Sequence, residues 1–335
     1  MLVEGEATAA FVQSYDSGID GRAGYPVIAD PQNAEINRAQ IGYRNGALAA
    51  TAGRQVIELA DQRFVGSANF RQNQRSFDAA RVQLGDQHRL FADVTLAWSQ
   101  RTTSGVNGRG ARPTAIGGTD LLALAGARTP AGTLTGFAYL IDQDEVAGQG
   151  YGLSSQTWGV RLAGEARAGG ARFAYAGSWA RQGDYARNSN RYRATYWLAE
   201  ATASAGPLAL TAGREVLGAS DGRALTSVQT PLASIFGFQG WAYKFTTTPP
   251  DGIRDLYAGA RLSRAKLGPF TAAGLSATWH RFRSDRLSRR YGEEWNMLAS
   301  ARRGRTTLSL RHAYYRAQGF ATDTRKLWLE ASWAL

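Results

Sequence analysis

Apolar and polar residues alternate with a period of two along most of this chain, and helical periodicity is almost absent. The clearest example is residues 89–99, where Leu90, Val94 and Trp98 share one face and Asp93 lies on the other. The same alternation recurs around 157–167, 294–302 and 324–335. Soluble strands usually hold about five or six residues, whereas roughly ten are needed for a tilted strand to cross a membrane. The pattern therefore predicts membrane-spanning β-strands.

The strands are separated by connections that alternate between short and long. About sixteen strands are predicted, near 2–13, 36–44, 47–58, 75–85, 88–100, 119–129, 132–142, 155–167, 171–182, 190–204, 207–216, 253–264, 270–283, 291–302, 305–317 and 324–335. Short connections contain turn residues such as Asn45-Gly46, and the longest connections are 14–35, 59–74, 101–118 and 217–252. Short periplasmic turns and long extracellular loops are typical of bacterial outer-membrane barrels. We therefore predict one domain over residues 1–335, an all-β, transmembrane, antiparallel up-and-down β-barrel in the bacterial outer membrane.

Composition and charge fit this prediction. The chain has 39 glycines and 9 tryptophans but no cysteine, and no apolar run approaches the length of a membrane helix. The net charge is +12, carried almost entirely by arginine, with lysine only at positions 244, 266 and 326. These cations are scattered singly, which argues against a nucleic-acid-binding arm. Residues 1–4 have neither the basic start nor the apolar core of a signal peptide, so we expect a processed or trimmed form, or else a cytosolic protein.

The polar face of the strands would line the lumen of the barrel. Charges in this inward phase are the first candidates for solute binding: Arg38, Asp93, Arg161, Arg193, Asp255, Arg261, Glu294 and Arg311. Their excess of arginine predicts a preference for anions. The alternative for each residue is an ion pair that only supports the wall.

An internal repeat contributes two further arginines. Residues 48–61 (LAATAGRQVIELAD) match residues 208–221 (LALTAGREVLGASD), eight strands apart. Strict alternation would turn Arg54 and Arg214 toward lipid, where each would cost roughly 2–4 kcal/mol at mid-membrane. We therefore expect bulges near Gly53 and Gly213 that turn both arginines inward, the alternative being a position near the outer rim.

Other chemistries find little support in the sequence. The three histidines, His88, His280 and His312, lie on different strands without metal-ligand spacing, and nucleophile or phosphate-loop motifs are missing. We expect no enzyme activity, no metal and no cofactor. The loop arginines Arg283, Arg286, Arg289 and Arg290 are candidates for binding lipopolysaccharide phosphates.

Two stretches resemble the alginate-export porin family. One is YPVIADPQNAEIN (25–37) followed by GRQVIELADQRFVGSANFRQNQRSFDAARV (53–82), and the other is GREVLG (213–218) with QTPLASIFGFQGWAYKFTTTPPDGIRDLYAGA (229–260). The resemblance implies passive transport of an acidic polysaccharide through an arginine-lined barrel of about eighteen strands. The resemblance also implies that ten residues of this chain fall on positions of the family pattern: Arg54, Asp61, Arg63, Arg71, Asn73, Asp78, Arg214, Trp241, Lys244 and Asp255.

The chain departs from the family pattern at several places. Phe236 stands where a histidine is expected, Tyr243 where an aspartate is expected, and Leu335 where barrels usually end in an aromatic residue. The family pattern also begins about two strands before Leu2. We expect a monomeric pore for anionic oligo- or polysaccharide such as an alginate-like polyuronate, in contact with lipopolysaccharide and outer-membrane lipid. The alternatives are a pore for another solute, natural or engineered, and a barrel enzyme acting on lipid or envelope glycan.

Overall fold

A computed structural model describes residues 1–334 except 13, 23, 26, 87–88 and 145–149. It contains sixteen β-strands, numbered β1 to β16 in chain order: Leu2–Thr8, Asn33–Asn45, Leu48–Gln55, Ser76–Gly85, Leu90–Arg101, Ala115–Thr129, Gly132–Gln143, Ser155–Ala168, Ala171–Asp184, Arg193–Ala205, Leu208–Leu217, Ile253–Arg264, Ala272–Arg283, Arg290–Arg303, Thr306–Ala317 and Thr324–Trp333. Two short 3₁₀ helices, Gly150–Leu153 and Ile235–Gly237, lie in connections. His88 and Leu335, which the sequence singled out, fall outside the described residues.

All sixteen strands form one antiparallel sheet in which each strand pairs with the next along the chain. The predicted all-β, up-and-down architecture and its strand number are therefore confirmed. The connections alternate between short and long over most of the chain, as in residues 46–47 after β2 and 56–75 after β3. The alternation fails after β12, where residues 265–271 form a connection one residue longer than the next one, 284–289. Gly46 has a φ of 54°, so glycine supplies the left-handed conformation that this tight turn requires. No helix among the described residues is long and apolar enough to cross a membrane.

The two faces of each strand have opposite character. On β5, Leu90, Val94, Leu96 and Trp98 are between 44% and 70% exposed, whereas Thr95 on the other face is fully buried. Leu329 of β16 is 81% exposed in the same way. Exposed apolar rows on one face and polar residues on the other match a sheet whose outer surface meets hydrocarbon.

Residues 56–75, called here the first inner loop, lie inside the curve of the sheet. Thr8 of β1 donates a hydrogen bond to Asn73 of this loop at 2.7 Å, and Phe70 contacts Trp328 of β16 with 5.9 Å between ring centroids. Because β1 and β16 are the two ends of the sheet, contact of one loop with both shows that the sheet curves round it. The described residues contain no ladder between β1 and β16.

Candidate solute-binding site in the lumen

The lumen is narrowed by two connections that fold inward and join each other. The second inner loop, residues 218–252, meets the first inner loop at an isolated parallel bridge between Val65 and Leu232. The amide of Gly66 donates to the carbonyl of Leu232 at 2.8 Å, and the amide of Ala68 donates to Oγ of Ser234 at 2.9 Å. The two loops therefore form a single body inside the barrel.

A buried ion pair fixes this body to the wall. Nε of Arg63 in the first inner loop lies 2.5 Å from Oε1 of Glu215 on β11, and both side chains are at most 2% exposed. Glu215 also accepts hydrogen bonds from the Tyr196 hydroxyl at 3.0 Å and from the Gln239 amide at 2.6 Å. The guanidinium of Arg63 covers the ring of Phe238 in the second inner loop, 4.8 Å from its centroid. Both loops and two strands thus meet at one carboxylate.

Aromatic residues from both loops and from β16 lie together in the lumen. This aromatic cluster consists of Phe70, Phe236, Trp241, Tyr243 and Trp328. Phe236 stacks on Phe70, and its ring centroid lies 5.3 Å from that of Trp241. Tyr243 and Trp328 lie 5.7 and 6.1 Å from Phe236 by the same measure. Flat rings grouped in this way offer an apolar surface to a planar or ring-shaped solute.

Three cations contact rings of this cluster, and a fourth, Lys244, contacts a ring outside it. Arg71 lies 4.6 Å and Lys326 5.6 Å from the ring centroid of Tyr243, and Arg311 lies 5.3 Å from that of Phe70. Lys244 lies 5.8 Å from the ring centroid of Tyr315 on β15. Burial lowers the pKa of Lys244, and the charge of Glu294 opposes this shift. We call Arg71, Lys244, Arg311 and Lys326 the lumen cations.

Carboxylates line the neighbouring part of the lumen. A cavity of about 470 Å³ is bordered by Glu215, Asp255 and His280, together with Arg161 and Arg261. Asp255 lies 2.9 Å from Nδ1 of His280, and Oε1 of Glu294 accepts the backbone amide of Ala242 at 2.8 Å. Cations and carboxylates therefore both border this part of the passage.

Most predicted inward residues lie on the inner face, although many are already paired. Arg38 is 3.5 Å from Glu4, Arg161 is 2.9 Å from Asp61, and Asp93 is 2.5 Å from Arg81. Arg311 pairs with Glu330, and Arg261 donates to Ser263 at 3.1 Å. Asp255 and Glu294 are buried. Their role in binding solute stays a prediction.

Three predicted lumen residues, Arg54, Arg193 and Arg214, lie on the outer face. No register shift occurs at Gly53 or Gly213, so the expected bulges are wrong. The neighbouring Gln55 and Glu215 are buried on the inner face, which leaves both repeat arginines in the outward phase.

These outward arginines are accommodated in different ways. Arg54 pairs with Asp78 opposite it at 2.9 Å, and Arg214 covers the ring of Trp197 at 5.2 Å. Arg193, expected to face inward, begins β10 in the exposed phase opposite the buried Ala194 and Tyr196. The prediction that Arg63 lines the passage is also wrong, because this side chain of the first inner loop is buried against Glu215 of the wall.

The sequence missed most of the aromatic cluster as a site. Lys326 and Trp328 alternate with Leu327 and Leu329, so their inward phase could be read from the chain. Their meeting with Phe70 and Phe236 depends on how two loops fold, which periodicity does not encode. No group of three or more metal-ligating side chains occurs in the described part of the chain.

Several solved structures from bacteria share this fold. Crystal structures of Pseudomonas aeruginosa OpdL (17% identity, TM-score 0.65) and of OpdK with vanillate (12% identity, TM-score 0.67) cover 92% and 93% of this chain, which covers 84% and 81% of theirs. A structure described as the outer membrane protein opdK from the same organism gives 12% identity and a TM-score of 0.62, with 90% and 79% covered. The fold is that of an outer-membrane barrel. Neither a protein-family model nor a curated protein matches the chain.

Proposed function

We propose that this protein is a passive channel of the bacterial outer membrane for solutes that carry carboxylates. The fold, with its exposed apolar outer face, supports the location, and the two inner loops supply a narrow passage. Diffusion through such a passage needs binding that is favourable enough for entry and weak enough for release. A set of separate, partly exposed cations meets both requirements.

The observation that carries the proposal is the contact of the lumen cations with the aromatic cluster. Arg71 and Lys326 flank one ring, Tyr243, while Arg311 lies beside Phe70. A carboxylate would be attracted by these cations, and the apolar face of its ring would pack against the aromatic side chains. Charge and ring contact together favour an acidic, ring-containing solute over a neutral one.

Uronate oligo- or polysaccharides are the first solute class, because the resemblance of residues 53–82 and 229–260 to alginate-export porins implies them. Each unit of such a chain has one carboxylate and one sugar ring. Successive units could engage the lumen cations in turn, so a polymer would advance without any single tight contact.

Small aromatic carboxylates are the second solute class, favoured by the stacking of Phe70, Phe236 and Trp241. The crystal structure of OpdK with vanillate supports this candidate, since vanillate is an aromatic carboxylate and the two chains share a fold. The two solute classes differ in size. A polymer must thread its whole length past the two inner loops, whereas a small acid needs only a narrow opening beside them.

Planar bilayers and liposomes test the proposal. Reversal potentials under a salt gradient are expected to show anion selectivity, and cation selectivity would overturn the proposal. Liposome swelling should be faster with galacturonate or vanillate than with a neutral sugar of equal size. Permeation of uronate oligomers identifies the first solute class, and exclusion of oligomers with entry of vanillate identifies the second. Purified protein incubated with lipid or envelope glycan is expected to release no product.

A further inference from the structure

Four arginines meet on the outer face of the barrel at the end that carries the long connections. Arg214 of β11, Arg254 of β12, and Arg281 and Arg283 of β13 line a shallow pocket of about 230 Å³ together with Leu256 and Ser288. The apolar Leu256 is 39% exposed in the same phase, which shows that this pocket faces away from the lumen.

The register of the strands brings these charges together. Arg254 is the direct cross-strand partner of Arg283, and Leu256 lies between Arg214 on one neighbouring strand and Arg281 on the other. Like charges placed directly opposite each other on a sheet destabilise the pair. An arrangement of this kind is expected where a bound anion from outside the chain lies between the arginines and offsets their repulsion.

The arginines are incompletely matched by acids of the protein. Arg254 pairs with Asp285 at 2.8 Å, but Nε of Arg283 is buried and has no hydrogen-bond partner among the described residues. Glu293 of β14 stands opposite Arg281 in the ladder, and Arg316 of β15 in turn stands opposite Glu293, so this acid lies between two arginines. Positive charge therefore remains in excess around the pocket.

Tryptophans place the pocket at the level of lipid headgroups. Arg214 covers the ring of Trp197 at 5.2 Å, and Arg281 covers that of Trp279 at 5.5 Å. Trp295, paired with Trp279 in the ladder, is 44% exposed. Exposed tryptophans gather where the hydrocarbon ends and the headgroups begin, and the arginines adjoin them.

We propose that this outer-face arginine pocket binds a phosphate group of a glycolipid in the outer leaflet, with lipid A as the matching chemistry. Guanidinium groups form paired hydrogen bonds with phosphate oxygens, and a doubly charged phosphate gains more from several arginines than a single carboxylate does. Arg283 lines the pocket, and its guanidinium offers several N–H donors. The inference rests on the proposed function only for the location in the outer membrane, and it holds for any solute in the lumen.

The test is calorimetric titration of the protein in detergent with three probes: lipid A, dephosphorylated lipid A with the same acyl chains, and inorganic phosphate. The double variant Arg281→Gln/Arg283→Gln is expected to bind lipid A with at least roughly tenfold lower affinity. The control Arg264→Gln/Arg303→Gln changes two outward arginines at the short-turn ends of β12 and β14 and should bind like the wild type. Heat-modifiable migration on gels verifies that both variants are folded.

Equal binding of dephosphorylated lipid A would overturn the proposal, because the acyl chains alone would then account for it. Binding of inorganic phosphate as tight as that of lipid A would overturn the assignment to a lipid. Wild-type affinity in the Arg281/Arg283 variant would show that the pocket is not the site. Ion selectivity in bilayers is expected to be unchanged in this variant. Lipid A binding therefore tests the pocket proposal, and ion selectivity tests the channel proposal separately.

Discussion

Arg63 and Glu215 form an ion pair that joins a loop inside the barrel to its wall. Nε of Arg63 donates to Oε1 of Glu215 at 2.5 Å, and the side chains are 1% and 2% exposed. Glu215 is also held by Tyr196 and Gln239. At this buried site each charge depends on its partner for stability, because an unpaired buried ion loses its hydration without compensation.

Replacing Arg63 by methionine is expected to release the first inner loop from β11. The lone Glu215 carboxylate should cost roughly 3–5 kcal/mol of local stability, and single-channel conductance should rise and become noisier as the loop moves away from the wall. Conductance traces and thermal unfolding measure the two effects.

A matched control is Arg223→Gln, which breaks the pair of Arg223 with Asp221. These side chains are 61% and 40% exposed, so the loss should be small. Conductance of Arg63→Met indistinguishable from that of this control would show that the ion pair does not hold the loop.

Tyr243 lies beside Arg71 and Lys326, and a carboxylate there would neutralise both. The variant Tyr243→Asp, which introduces the residue of the alginate-export pattern, is therefore expected to shift the reversal potential toward weaker anion selectivity. Tyr151→Asp serves as the control, because Tyr151 lies 4.6 Å from an arginine, Arg187, in a connection outside the two inner loops. A shift of equal size in both variants would argue against a special role for the lumen cations.

The sequence predicted the sheet well because its main determinant is local. Alternation along β5 or β16 sets which side chain faces outward, and the turn at Gly46 sets where a strand reverses. Prediction of the inward phase was right for Asp93 and Arg161 for that reason. It was wrong for Arg54 and Arg214, where the cost of arginine in lipid was taken to require a bulge.

Local surroundings explain that error in physical terms. Arg54 reaches Asp78 and Arg214 reaches Trp197, so neither charge needs to enter the lumen. The candidate site was less predictable than the strands, because Phe70 and Phe236 meet only through contacts between loops more than 150 residues apart in sequence. Phase alone identified Arg311 but not the rings beside it.

Phe236 is the centre of the aromatic cluster, in contact with Phe70, Trp241, Tyr243 and Trp328. Phe236→Ala is expected to weaken the binding of vanillate or galacturonate in the lumen, measured as a shorter solute-induced current block, while small-ion selectivity changes little. Removal of one ring contact should cost about 0.5–1.5 kcal/mol, a severalfold shorter block. Phe173→Ala, on the exposed face of β9, is the control. Block durations unaffected by Phe236→Ala would rule the cluster out as the solute site.

Lys244 gives the channel a dependence on pH that can be predicted in sign. Burial lowers its pKa from the ordinary value of 10.5, with Glu294 opposing the shift, so this lumen cation is lost at a lower pH than an ordinary lysine would be. As the pH rises, anion selectivity should accordingly begin to decline before pH 10.5 is reached, because neutral Lys244 no longer attracts carboxylates. Arginine keeps its charge throughout this range, and Lys244→Arg should therefore retain more selectivity as the pH rises. The control Lys266→Arg changes an exposed lysine in the connection after β12 and should show the same decline of anion selectivity as the wild type. Reversal potentials between pH 7 and 10.5 measure the difference, and an identical decline in Lys244→Arg and the wild type would exclude Lys244 as the titrating group.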